Sequence, residues 1–474
     1  MRSSRSKQLW LIQPGFPVTA GLPVDATRGD SVRFSPAWDL LCLQAFIVKR
    51  TGHTCDLLDL RLADDLTGGL QPIVEKISPG RRDMAVIHAS FDTLGPVGEV
   101  IAHLHEHAPH VDIALCGPLV TAFPGVVNAL PHVQFGLAGD AEIILRNLLD
   151  FIDIEHRLKH ITGLQMRGQP VKPPHWLPEL NALSLPDWRE TRWSPYQQGP
   201  GTAGMRLEAR LTRGHPDTAF DRVYQPPGEP LRWWNLTAMA QLLQKCPGHG
   251  IREVFFADSP GIWNEHLLST WCHALLEARN TQRWSFHMLP AMLSEAVLGD
   301  LAYNGCFRIE LLIPSCLPNR QAEWGASLAP NEIKKLLSHM HQHGIEGQLR
   351  YWAGGPGETS GEADRIFHHL KNSGFPAFSV YPFPWRPDAE SSAHGAALPG
   401  EWINWAENPR QTPPNPGWMP GNQRESSQYV LRAIQHKMTR NPLVKFQRML
   451  HRRFGFEIAW PKTGWSRWLH RRPS

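Results

Sequence analysis

The chain has 474 residues, 42% of them apolar, and a formal net charge of +4, which is enough for two or three domains with sizeable cores. It holds no apolar run of the roughly 18 residues that a membrane span needs, and residues 1–17 are basic with only a short apolar stretch and no small-residue cleavage site, so no secretory signal is expected. Its seven cysteines are dispersed and form no C-x2-C pair, a pattern that suits free thiols in a reducing cytoplasm.

Residues 1–155 alternate strand and helix patterns with short connections. Strands are expected at 8–12, 53–60, 84–89, 112–116 and 134–137, and amphipathic helices at 38–50 and 96–107. That alternation predicts an open parallel sheet with helices on both faces, and such sheets take ligands at the C-terminal ends of their strands. Residues 156–204 are a connector, rich in Pro, Gly and Trp from 168 onward, as in Pro173-Pro174-His175-Trp176 and Leu185-Pro186-Asp187-Trp188. It is too irregular for long elements and is expected to strap its two neighbours together.

Residues 205–384 contain six strand-plus-helix units, a partial β/α barrel. Strands are expected at 205–212, 251–257, 283–288, 306–313, 347–353 and 377–382, and helices near 236–246, 264–279, 289–302, 330–343 and 361–373. In the first unit the apolar alternation of Met205, Leu207, Ala209 and Leu211 ends in Thr212-Arg213-Gly214. The loop that follows therefore opens at the C-terminal edge of the strand, where such barrels keep their active sites.

Residues 385–427 read as an extended linker, as in Pro413-Pro414-Asn415-Pro416-Gly417-Trp418. In the tail, 428–474, eleven Lys or Arg stand against the single acid Glu457, a net of +10 that leaves −6 for the rest of the chain. Val430, Ile434 and Met438, then Leu443, Phe446, Met449 and Leu450, recur at helical spacing, followed by Trp460, Trp465 and Trp468. A basic amphipathic helix with tryptophans suits an anionic membrane surface; the same pattern also fits a helix docked on its own barrel. Nothing in the first two domains reads as a nucleic-acid module. The 24 histidines include His103/His107 and His339/His343 at i,i+4 spacing, and neither pair has a third ligand nearby in sequence.

The loop after the first barrel strand, His215-Pro216-Asp217-Thr218-Ala219-Phe220-Asp221-Arg222, resembles the radical S-adenosylmethionine (SAM) family, whose motif here is Arg-Gly-Cys-Pro with cysteines spaced C-x3-C-x2-C. The three cysteine positions are His215, Ala219 and Arg222. The resemblance implies three thiolates that hold a [4Fe–4S] cluster and leave its fourth iron for SAM. Ala219 offers no ligand atom and Arg222 stays protonated, so no cluster and no radical cleavage of SAM are expected, and only His215 could bind a metal. Two further units carry the likeness: Gly250 to Asp258 with Asn264, and Gly355-Pro356-Gly357-Glu358-Thr359, which matches a Gly-x-Pro-Gly-Glu-Thr turn. That turn is either a wall of the SAM pocket or a barrel turn kept for its backbone geometry. The fourth strand departs from the family, reading Glu310 to Ser315 where a Gly-x-Glu-Ser ending is usual.

The first domain resembles the cobalamin (B12)-binding domain that precedes the barrel in one branch of that family. The likeness rests on Pro36, Gly52-His53 and Asp59, on Asp83 to Ser90, on Cys116-Gly117-Pro118-Leu119, which is half of a Gly-Gly-Pro-His turn, and on Gly139-Asp140-Ala141-Glu142. It implies a Rossmann-like sheet with cobalamin at the strand ends near His88, Ser90, Gly117, Pro118, Gly139, Asp140 and Glu142, without an axial histidine from the 13–17 loop. His53 is read as structural. The expected function is that of a cobalamin-binding, radical-SAM-like protein without cluster ligands, a binding or scaffold partner for an intact relative acting on a lipid or tetrapyrrole-like substrate. The alternative is an enzyme that uses cobalamin for methyl transfer, or a metal on His215. Either would be cytoplasmic, with the tail as a peripheral contact to the inner face of the membrane.

Overall fold

The computed structural model describes residues 7–15, 24–25, 35–63, 65–76, 83–90, 93–189, 191, 193, 196, 205–216, 229–313, 330–353 and 378–382. The chain begins with β1 (Gln8–Gln13), and β2 (Val24–Asp25) then crosses to the second sheet. The first sheet is completed by β3 (Thr54–Asp59), β4 (Met84–His88), β5 (Asp112–Cys116), β6 (Phe135–Leu137) and β7 (Leu164–Met166), in the order β3-β1-β4-β5-β6-β7. All its pairs are parallel except β6 with β7. Without the edge strand β7, this is the doubly wound order whose topological switch point lies between β1 and β4. The sheet extends to Met166, beyond the expected boundary at 155.

Each face of this sheet is buried by the alternation of its strands. Leu9, Leu11, Val86 and Ala114 pack with α1 (Trp38–Thr51) and α6 (Ala141–Phe151), whereas Trp10, Ile12, Ile87 and Leu115 pack with α2 (Leu66–Lys76) and α3 (Leu94–His107). Short helices α4 (Pro118–Ala122), α5 (Val126–Ala129) and α7 (Glu155–Leu158) fill the connections. Burial of aliphatic side chains on both faces is what a parallel sheet requires. The expected strands and helices of this domain are present; α2, α6 and β7 were not expected.

The second sheet runs β2-β15-β14-β13-β12-β11-β8. Its six parallel strands are β8 (Met205–Ala209), β11 (Ile251–Phe256), β12 (Arg283–Met288), β13 (Cys306–Ile313), β14 (Glu346–Ala353) and β15 (Phe378–Pro382), and between them lie α8 (Leu236–Gln244), α9 (Glu265–Glu277), α10 (Leu298–Tyr303) and α11 (Pro330–Gln342). These are the six strands expected for a partial barrel. On the helix-facing side Phe256 meets Trp263, Trp271 and Trp284 edge-on, with ring centroids 5.4–6.3 Å apart. Offset and edge-on aromatic packing of this kind holds the outer helices to the sheet.

Two expectations shift for visible reasons. The helix expected at 289–302 is two short 3-10 turns followed by α10, because Pro290 starts the first turn and the Ser294 hydroxyl, accepting from the Ala296 amide, caps the second. The first barrel strand stops at Ala209 rather than 212, since the Asp258 carboxylate accepts from the amides of Leu211 and Thr212 and from the Thr212 hydroxyl. The chain then forms a two-residue antiparallel ribbon, β9 (Thr212–Arg213) with β10 (Arg232–Trp233). The expected helix at 361–373, the turn at Gly355, Pro356, Gly357 and Glu358, the linker and the tail lie outside the described residues.

The two sheets are joined in three ways. β2 pairs antiparallel with β15, so a segment of the first domain extends the barrel sheet. The connector binds both sides: Trp188 lies 6.4 Å from Trp38 between ring centroids and donates its indole N–H to the Leu242 carbonyl at 3.3 Å, and the Tyr196 hydroxyl donates to Asp59 at 2.8 Å. Connector residues thus contact both α1 and β3 of the first domain and α8 of the second. The third junction is electrostatic and forms the site described next.

Candidate functional site

A cleft of about 130 Å³ lies where the C-terminal strand ends of the two sheets face one another. From the first domain it is lined by Asp39, His88, Cys116, Gly117, Pro118, Gly139, Asp140 and Glu142, and from the barrel by Arg210, Thr212, Arg213, Gly214, Glu229, Asp258 and Ser259. Both architectures take ligands on this side, at the C-terminal strand ends of an open sheet, here those of β4, β5 and β6, and at the C-terminal face of a barrel.

Six of the seven residues named for cobalamin line the cleft; Ser90 does not. The Ser90 amide is bonded to the Thr93 hydroxyl at 3.0 Å, ahead of α3. His88 ends β4 and stands against Gly117, whose φ is +99° and whose missing Cβ would fall 2.9 Å from the His88 ring and from the Ala89 carbonyl. Pro118 starts α4. Gly139, at φ +110°, is crossed by the connector: a Cβ there would lie 2.1 Å from the His175 carbonyl oxygen. The connector is bound at that point by hydrogen bonds from the His175 amide to the Ala138 carbonyl and from the Asp140 amide to the His175 carbonyl, both 2.9 Å. The space that this glycine leaves open is therefore filled by the protein's own backbone.

Asp140 precedes α6 at its N-cap position without a side-chain capping bond, Glu142 lies in its first turn, and each is 1% exposed. Both carboxylates are held by arginines of the β9–β10 ribbon, whose register sets Arg213 opposite Arg232. Arg213 donates to the two Glu142 oxygens at 3.0 and 2.5 Å and to Asp140 at 3.3 Å, and stands 3.9 Å from Asp39. Arg232 donates to Asp140 at 2.5 Å, to the Leu177 carbonyl at 3.0 Å and to Glu229 at 3.1 Å. Asp140 also accepts from the Leu177 amide at 2.7 Å. Such fork-to-fork pairing is directional and charge-assisted, and each carboxylate would be costly to bury alone.

These neighbours set the protonation of the cleft. Burial raises the Asp39 carboxyl, but Arg210 and Arg213 outweigh it and hold the group below its usual range. Glu229 moves the other way, raised by burial against the pull of Arg232 and Arg213. Asp258 is pushed up to about 6 by burial, although three hydrogen bonds favour its charged form. Burial also raises the thiols of Cys42 and Cys116, which keeps them protonated.

His215 is buried, and its Nδ1 lies 3.1 Å from the Pro216 carbonyl oxygen. Ala219 and Arg222 lie outside the described residues. Among the described residues no three His, Cys, Asp or Glu side chains stand close enough to share a metal ion. His103 and His107 stack at 4.3 Å along α3, and His53 accepts from the Lys7 amide at 3.2 Å.

The barrel interior holds groups that were not singled out from the sequence. Arg206 of β8 stands 3.6 Å from Glu253 and 3.7 Å from Glu310, Arg350 of β14 is ion-paired with Glu310, and Arg308 is 3.2 Å from Glu346. Between them His287 directs Nε2 at the Asp258 carbonyl, 2.5 Å away, and burial with the Arg350 charge lowers its pKa to about 4. The signal was available: polar residues at every second position of otherwise apolar strands, as in Arg308/Glu310 and Gln348/Arg350.

Cobalamin can be tested against this geometry. A corrin with its side chains exceeds the drug-sized ligands that occupy pockets of about 300–1,000 Å³, and the cleft measures about 130 Å³. Gly139 is covered by His175, and Asp140 and Glu142 are engaged by arginines. Among the described residues, the cleft between these paired groups is smaller than a corrin.

Comparison with known proteins places this geometry in context. No family model matches the chain, and no curated protein does. Among solved structures it is similar to the radical S-adenosylmethionine methyltransferase TsrM from Kitasatospora setae, with tryptophan substrate and a SAM analogue bound, at TM-score 0.60 and 15% identity over 79% of this chain and 73% of that one. The same enzyme with cobalamin and a [4Fe-4S] cluster matches at TM-score 0.58 and 16% identity over 79% and 72%. The cobalamin-dependent SAM radical enzyme OxsB, with aqua-cobalamin bound, matches at TM-score 0.60 and 11% identity over 84% of this chain and 56% of its own length. At these identities the likeness is one of fold: an α/β chain with the architecture of cobalamin-dependent radical SAM enzymes.

Proposed function

We propose that this chain is a non-radical binding or scaffold protein built on the frame of cobalamin-dependent radical SAM enzymes. The observation that carries the reading is the loop after β8. Where the family motif asks for three thiolates, the sequence has His215, Ala219 and Arg222, one imidazole, one methyl group and one permanent cation. A [4Fe–4S] cluster cannot be held by that set, and without it SAM has no open iron to chelate.

What remains is a two-sheet body whose cleft is bridged by its own charges, together with a basic tail. Such a body can present surfaces to an intact relative acting on a lipid or tetrapyrrole-like substrate, with Arg213 and Arg232 holding the two domains in one orientation. Anaerobic reconstitution with iron and sulfide, followed by metal assay and EPR after dithionite reduction, tests this. The expected result is background iron and no cluster signal; near-stoichiometric iron with a cluster spectrum would overturn it.

A further inference from the structure

We propose that the Arg213–Glu142 bridge is a latch that keeps the interdomain cleft shut against any ligand larger than its present cavity. Arg213 belongs to the barrel and Glu142 to the first domain, and the two are bound through both carboxylate oxygens. The arginine is 12% exposed and the glutamate 1%. The ribbon that carries Arg213 is itself pinned twice, by Asp258 through the Leu211 and Thr212 amides and by Arg232 through Asp140. A ligand spanning the two sheet edges must displace this bridge, because the bridge occupies the line between them.

The latch has a predictable energetic character. Removing only one partner strands a buried charge and is strongly destabilising, whereas replacing both by apolar groups of similar size is often neutral or stabilising. Asp140 stays satisfied in either case, since Arg232 and the Leu177 amide remain on it. The double variant Arg213→Met/Glu142→Leu therefore unlatches the cleft without leaving a lone charge. Binding through an open form that is populated to less than about a tenth is weakened by at least tenfold relative to a protein already open.

The latch involves none of the positions 215, 219 and 222, so it is independent of the cluster reading and is tested without iron. Hydroxocobalamin serves as a corrin-sized probe, because related folds are known with cobalamin bound. Full-length wild type and the double variant would be titrated with it by absorbance and by equilibrium dialysis, with circular dichroism to verify folding. The expected result is weak binding by wild type and binding tighter by at least about tenfold in the unlatched protein. A second apolar pair, Arg213→Met/Glu142→Met, also removes both charges and should move affinity in the same direction, which guards against a folding defect particular to the first double variant. Equal affinities in wild type and variants, or no binding by any of them, would overturn the latch.

Discussion

Replacing Gly139 by alanine separates two roles that the sequence left together. A glycine at a strand end can admit a ligand or admit another stretch of backbone, and here the connector lies where the Cβ would be, 2.1 Å from the His175 carbonyl oxygen and 2.7 Å from its nitrogen. Neither atom is the mobile end of a side chain, so the connector itself has to move. The left-handed backbone, φ +110°, costs an alanine about 1–2 kcal/mol. Displacing His175 also breaks its two 2.9 Å hydrogen bonds to Ala138 and Asp140, for a further 1–3 kcal/mol or so. The expected loss is about 2–5 kcal/mol, read by urea or thermal unfolding of protein with no cofactor added. Gly168→Ala is the control: its φ is +74° but nothing lies within 4 Å of the added Cβ, so only the backbone term, about 1–2 kcal/mol, should appear. If Gly139→Ala is no less stable than Gly168→Ala, the close approach of the connector is not what requires the glycine.

Two further outcomes are expected. Burial raises the Asp258 carboxyl from 3.8 to about 6 in the folded protein. A raised folded pKa contributes stability that is complete below the unfolded value and is lost as pH climbs to the folded one. The stability of wild type relative to Asp258→Asn should therefore fall across that window and stay level above it; a gap that does not change with pH would refute the assignment. For the tail, the chain cut after Ser427 should fail to pellet with anionic vesicles that carry down the full-length protein. Attraction contributes about 1 kcal/mol per basic residue near the surface, so binding should weaken with salt yet persist through the tryptophans, and equal pelleting of both chains would return the tail to a helix docked on the barrel.

The elements were legible because burial imposes a period. Apolar runs such as Met84–Ile87 and Ile113–Cys116 become inner parallel strands, and the helix from Trp38 ends where Gly52 takes φ +67°. What could not be read was which motif residues would meet. Arg213 and Glu142 are 71 residues apart and Arg232 and Asp140 are 92 apart, and nothing local tells a carboxylate that waits for a ligand from one that waits for an arginine. Resemblance therefore directs Asp140 and Glu142 to cobalamin, and the local pattern shows Arg213 only as part of a strand-end turn. Asp59 was subject to the same ambiguity: matched to a cofactor-domain pattern, it holds Arg61 and the Tyr196 hydroxyl.

The charges inside the barrel repeat the logic of the latch. A site that must receive a charged ligand keeps a charge in reserve for it, because burying an ion without a partner is expensive and the ligand then supplies the missing half. Here Glu310 is shared by Arg206 and Arg350, Arg308 has Glu346, and His287 is kept neutral by burial and by the Arg350 charge beside it. Arg206 and Arg350 also cover the Phe255 ring, at 4.2 and 5.6 Å from its centroid. Among the described residues at both positions, the cleft and the barrel interior, cations are opposed by carboxylates of the same chain. The latch has the same consequence: the cleft can exchange internal ion pairs for a ligand only when both halves of a pair are released together.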